Sequence, residues 1–336
     1  VFIKFFKSSF FSQYLATGVI GLSLWLRAFF EPPSLPVPYG PVPLYTLIYD
    51  LLDPVPRLAV ILGFLLVLVE MFWFNLILNK HELVLKNSTL SALVFIILMS
   101  FYPEILILNP VNISVLFLLV IMYNLLISYK KPEHLDRTFA AGFFISVTSM
   151  FYIPFLLWFG LVIISFILFR SGKWRQWVSF LIGLLTPYLY LAAFYFWKDN
   201  LPEKVNEYAV FIYKVFSFPN PFQYDFHILG GLTLMLTIYG FFIFKSRPIE
   251  KTVEIRAKIN LFLWIILFSI LSFSFSGSMA VYHPVIAAPA FALVITCALL
   301  PIKKPVRIEL LLIIYFLLIL ANNLVVHEVF PSMSEK

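Results

Sequence analysis

Apolar residues run along this chain in long blocks, separated by short clusters of charged and turn-forming residues. The blocks fall at about 13–30, 57–79, 88–102, 111–128, 138–152, 154–169, 176–197, 226–245, 259–275, 279–300 and 308–326. A hydrocarbon core of roughly 30 Å takes about 20 apolar residues in a helix. The pattern therefore predicts an all-α, polytopic transmembrane helix bundle of about eleven crossings, forming one transmembrane domain over residues 1–336. Between 138 and 169 a short hairpin is expected instead of one long helix. Tyr152-Ile153-Pro154 supplies its turn, because proline lacks an N–H and pushes its predecessor out of the α region.

Two segments break the pattern. Residues 31–56 are proline-rich and then place Leu44, Leu47, Ile48, Leu51 and Leu52 at helical spacing, with Asp50 and Asp53 toward water. That stripe predicts a short amphipathic helix lying in the membrane interface. Residues 198–225 predict another: Asn200 is a cap, Pro202 and Glu203 occupy the first turn, and Val205, Tyr208, Ala209, Ile212, Val215 and Phe216 form the stripe. Ser217-Phe218-Pro219-Asn220-Pro221 ends it.

Composition fits this reading. The chain is 62% hydrophobic and 12% charged, where a soluble domain carries about 25% charged residues. The net charge of +7 is spread in short clusters between apolar blocks, which argues against a nucleic-acid partner and reports orientation. Of 24 lysines and arginines, only Arg27, Arg57, Lys198, Lys204, Lys214 and Lys336 fall on one side. The remainder mark the cytoplasmic ends, so the N-terminus is expected inside and the C-terminus in the periplasm of a bacterial inner membrane. No small-residue cleavage pattern follows the first apolar block, which is expected to be a retained helix. The one cysteine, Cys297, reads as a small buried hydrophobe.

The order of these features resembles the GT-C superfamily of integral membrane glycosyltransferases. There, a first helix ends in an outer loop with an Arg and acidic residues, followed by a juxtamembrane helix; here Arg27, Glu31 and Leu44 to Leu52 stand in that order. The stretch from LNPVNISVLFLLVIMYNLL through FAAGFFISVTSMFYIPFLLWFGLVIISFILFR is similar to the closely spaced middle helices of that family, and VYHPVIAAPAFALVI to a late one. The chain departs from it in having Glu31 followed by Pro32 and Pro33 where many members carry Asp or an Asp-Glu pair, and in lacking the late Arg before the Tyr. The segments FNLILNKHELVLKNSTLSALVFIILMSFYPEILILNP and PLYTLIYDLL also resemble a family of uncharacterised polytopic inner-membrane proteins of Bacteroidota, which implies no activity.

The GT-C resemblance implies transfer of a sugar from a polyprenyl-phosphate carrier on the outer face. Such chemistry needs a carboxylate to accept the acceptor's proton and cations to hold the departing phosphate. Glu31 is the expected base. Arg27, one turn earlier, is suited to orienting it or binding phosphate; Arg57 and His283 complete a cationic rim, and Glu104, beside Pro103, joins the cavity. The alternative is that Arg27 and Glu31 form an ion pair closing the first helix, while His283 merely introduces Pro284. No cofactor is assigned, although a divalent cation is compatible with the reaction. Glu70 lies deep in a span, where a lone carboxylate is costly, with Asn75 and Asn79 continuing its polar face. It fits structural bonding to a neighbouring helix better than proton-coupled transport. His81 and His134 sit in inner loops, and Asp225 with His227 is too sparse for a metal. His327 and Glu328 read as surface groups. A non-catalytic scaffold or partner subunit of an envelope complex is the other functional reading, and a transporter the third.

Overall fold

The structure, a computed structural model, describes residues 5–8, 10–84, 88–131, 133–217, 252–300 and 306–324, with isolated positions between 231 and 242. The stretch 218–225, Asp225, His227, His327, Glu328 and all but those isolated positions of the expected span 226–245 lie outside the described residues. Within them the chain is all-α. Twelve α-helices follow in order: α1 (Phe11–Phe30), α2 (Pro43–Leu52), α3 (Pro56–Lys80), α4 (Leu90–Leu98), α5 (Pro110–Ile127), α6 (Leu135–Ser149), α7 (Phe159–Phe169), α8 (Trp174–Trp197), α9 (Leu201–Ser217), α10 (Val253–Phe273), α11 (Ala288–Leu299) and α12 (Val306–Leu324).

The expected eleven crossings are corrected by the helix lengths. Among the described residues, only α3, α5, α8 and α10 are long and apolar enough to cross a membrane by length and composition. These four make a multi-pass membrane protein the natural reading. Three further apolar stretches are shorter: Ile153–Phe169, His283–Leu299 and Glu309–Leu324. The clearest reason for the miscount is α4. It has nine residues, all of them buried, and at 1.5 Å per residue it spans about 14 Å. An apolar run reads alike whether lipid or protein surrounds it, and here protein does. The break expected after Ser149 is present: Tyr152 is extended at φ −148°, and a 3-10 turn over Ile153–Trp158 leads into α7.

Short polar side chains tie the helices where their backbones come close. α6 and α8 cross on glycines: a methyl group on Gly142 would lie 2.9 Å from the Leu184 amide nitrogen, and one on Gly183 would overlap the Phe139 backbone. One turn along, Ser146 donates to the Leu184 carbonyl, and Ser149 bonds the Tyr188 hydroxyl at 2.6 Å. Small residues with hydroxyl cross-links are the usual means of helix association in a bilayer, where burial of apolar surface between helices gives little drive. A second knot joins α1, the end of α4 and α12. Trp25 donates to Ser100 Oγ at 2.9 Å, and Asn323 donates to the carbonyls of Ser100 and Leu24.

Both amphipathic stripes form helices as expected, but packed on different residues. In α2 the anchor is Tyr45, fully buried and donating to the Pro36 carbonyl at 2.7 Å, while Leu47 and Leu51 stay exposed. In α9 the buried side is Val215 with half-buried Tyr208 and Phe211, and Val205 and Ile212 face outward.

Candidate functional site

The proline-rich segment after α1 is pinned at both ends of its course. Leu44 N–H donates to the Met150 carbonyl at the end of α6, 3.3 Å away. Tyr39 stands edge-on to Phe211 of α9, with ring centroids 5.2 Å apart, and its ring lies where a side chain on Gly277 would have to go. Gly40 and Gly277 both have positive φ, +85° and +53°, a region open to glycine without steric cost. The proline-rich segment and α9 therefore meet, through Tyr39 and Phe211, and the loop after α10 reaches Tyr39 at Gly277.

The residues expected to perform chemistry are distributed otherwise. Arg27 Nη2 and Nε both donate to Glu31 Oε2, at 2.7 and 2.9 Å, and Nη1 donates to the Leu324 carbonyl. The Glu31 side chain is 69% exposed and that of Arg27 24%. This is the ion pair that closes α1, with the arginine also capping α12. No hydrogen bond or ion pair links Arg27 or Glu31 to Arg57, Glu104 or His283 among the described residues. Arg57 is exposed at the start of α3.

His283 is not part of a cationic rim. It is buried, and both ring nitrogens are engaged. Nε2 lies 2.9 Å from the Ser269 carbonyl and 3.2 Å from Ser272 Oγ, and Nδ1 lies 2.6 Å from the Tyr152 hydroxyl. A carbonyl only accepts, so Nε2 carries the proton and Nδ1 accepts from Tyr152. The imidazole thus clamps the α6–α7 turn to α10. The bonds of His283 to Tyr152, Ser269 and Ser272 escaped the sequence reading; the available signal was that a histidine in an apolar block must find partners.

Glu104 behaves differently. It sits on a 3-10 turn over Pro103–Ile105, half-buried. Its charge and the burial of Tyr282 together push that phenol up to about 12, burial being the larger cause. Tyr282 in turn, after burial, helps hold the Tyr45 phenol well above its ordinary range. A carboxylate and two tyrosines thus lie near enough to act on one another's charge. A phenol beside a carboxylate can donate a hydrogen bond and hold a hydroxylated ligand, and the carboxylate can take a proton.

Glu70 and Asn75 lie on the buried side of α3. Asn75 has the structural role expected of that face: its amide nitrogen donates to the Tyr14 hydroxyl at 2.5 Å, and Ser91 donates to its oxygen, joining α1, α3 and α4. Asn79 donates to the Ser88 carbonyl at 3.3 Å. Glu70 lies beside the Leu116 backbone of α5, yet neither carboxyl oxygen reaches a partner in hydrogen-bonding geometry. The helix-to-helix bonding expected of Glu70 belongs to Asn75.

At the opposite end, His81 is not a solvated loop residue. It is half-buried beside Lys258, 3.3 Å away, which also pairs with Glu254 at 2.5 Å. Burial first, then the Lys258 and Lys80 charges, push its imidazole down to about 4. No grouping of three or more His, Cys, Asp or Glu side chains suited to a metal occurs among the described residues. No family model, curated protein or solved structure matches the chain.

Proposed function

We propose that this chain is a non-catalytic, GT-C-like subunit of a bacterial inner-membrane envelope complex, its outer end being the docking or scaffolding face. One observation carries the reading: Glu31, the carboxylate best placed in sequence to act as base, is held by Arg27 at an exposed helix end. A base must reach the proton that it takes, and an acid already paired in solvent with its cation is suited to closing a helix instead. The distribution of Lys and Arg supports a cytoplasmic N-terminus. The test is purification from native membranes in mild detergent. Stable association with another envelope protein, with E31Q associating as well as wild type, is the expected result. A chain that purifies alone with polyprenyl phosphate bound overturns the reading.

A second reading, transfer of a sugar from a polyprenyl phosphate to a hydroxyl acceptor, is favoured by Glu104 and Tyr282. On that reading the base is Glu104 and not Glu31. E104Q then abolishes transfer from a polyprenyl-phosphate sugar, while E31Q retains it.

A further inference from the structure

The turn between α7 and α8, at the end opposite the outer segments, forms an open surface recess of about 420 Å³ lined by Phe166, Ile167, Arg170, Ser171, Gly172, Lys173 and Trp177. Its polar groups are all donors or can act as donors. Arg170 ends α7 in the left-handed conformation, φ +51°, and Lys173 precedes α8; neither joins an ion pair among the described residues. The Ser171 residue is 4% exposed, yet no described residue bonds its hydroxyl. Trp177 packs its indole nitrogen against Gly172, about 3.4 Å from where a Cβ there would stand, and that N–H too meets no described partner. The first turn of α8 begins at the same place; the Gln176 and Trp177 N–H groups already donate to the Lys173 carbonyl, so the turn adds the Trp174 and Arg175 N–H groups at the positive end of the helix dipole.

Carboxylates are absent from the neighbouring sequence: no Asp or Glu occurs between Asp136 and Asp199. A site with two cations, a hydroxyl, an indole N–H and a helix N-terminus, but no acid on its own helices, is complementary to a phosphate. The rim identifies the form of that phosphate. Ile167 is 66% exposed and Trp174 70% exposed, so an apolar wall runs from the recess along α7 and α8 into the hydrocarbon region. A free phosphate has no use for that wall; an acyl chain does.

We propose that this recess binds the phosphodiester headgroup of an anionic phospholipid from the adjacent leaflet, with its chains along α7 and α8. Arg170 and Lys173 supply the charge, Ser171 and Trp177 the hydrogen bonds, and Gly172 the space. The site is separate from the outer segments and stands whether or not the outer end has a catalytic role.

The experiment is native mass spectrometry of the detergent-solubilised full chain titrated with phosphatidylglycerol, phosphatidylcholine or inorganic phosphate. Phosphatidylglycerol is expected to occupy one tight site that phosphatidylcholine does not fill, and millimolar inorganic phosphate should not displace it. Juxtamembrane cations contribute about 1 kcal/mol each to anionic lipid binding, so R170Q/K173Q should weaken that site about thirtyfold. R256Q removes an exposed charge on α10 and serves as the control, with binding unchanged. Because a double variant can misfold, S171A and W177F provide an independent arm, each expected to weaken binding severalfold. Equal binding of the two lipids, equal binding by wild type and R170Q/K173Q, or displacement by inorganic phosphate would each overturn the proposal.

Discussion

Two glycines in this chain receive opposite predictions for the same added methyl group. Gly183 of α8 faces α6 so closely that a Cβ would overlap the Phe139 carbonyl oxygen and lie 2.9 and 3.1 Å from its carbonyl and α carbons. The obstacle is backbone, which cannot rotate away. Overpacking costs about 1–3 kcal/mol, and a backbone clash places G183A in the upper half of that range. Gly18 of α1 meets only Leu68 Cδ2, at 4.0 Å. G18A therefore keeps the gain from replacing glycine within a helix, about 0.8–1 kcal/mol. At roughly 2 °C per kcal/mol for a chain of this size, G183A should lower the apparent melting temperature by about 4–6 °C and G18A should raise it by about 2 °C. Cys297 supplies the assay. It is the single cysteine, half-buried on α11 with its thiol bonded to the Leu83 carbonyl, so a thiol-reactive fluorophore reports unfolding at a fixed heating rate in detergent. Gly142 faces the same crossing from the other helix, and G142A/G183A should cost less than the two single changes together, because one methyl already parts the helices. A G183A protein that melts no lower than wild type would refute the close crossing.

Other residues give sharper single measurements. N75L removes bonds to Tyr14 and Ser91; at about 0.6 kcal/mol for an average intramembrane hydrogen bond, the melting temperature should fall by about 2 °C, and Y14F should add little once Asn75 is gone. For His81 the folded pKa, about 4, lies below the ordinary value of about 6.5. The unfolded state therefore binds the extra proton first, and the contribution of this group is complete above pH 6.5 and lost as pH falls from there toward 4. K258M removes one of the charges holding that pKa down, so the acid transition should move to lower stability loss and its lower bound upward, read from melting temperature against pH; an unchanged profile for both H81Q and K258M would count against the cluster.

The course of the chain was largely legible in its hydropathy. The turn at Tyr152-Pro154, both amphipathic helices and the approximate position of every described apolar helix follow from spacing and proline alone. What could not be read is which apolar runs face lipid. α4 and α3 look alike in sequence, yet one is enclosed and short while the other is long with an exposed apolar stripe; lipid and protein both tolerate leucine, so periodicity is silent when every side is apolar. The site suffered from a related limit. Arg27 and Glu31 are four apart on a helix, so their pairing was readable, but that Glu31 ends in solvent depends on how α12 returns to cap the pair. Tyr152 and His283 are far apart in sequence, and nothing in either neighbourhood names the other. Tyr45 was overlooked because the leucines around it make a tidier stripe, although only a phenol could bury itself and still bond the Pro36 carbonyl.

The enclosure of α4 constrains how this protein is made. Its neighbours include α1 and α3, which precede it, and α11, which is synthesised almost two hundred residues later. A nascent chain must therefore hold residues 90–98 in a partly built shell until Ala288–Leu299 emerges to seal it. Interrupted synthesis leaves that segment bare, an unfinished product that membrane quality control can recognise by its open flank.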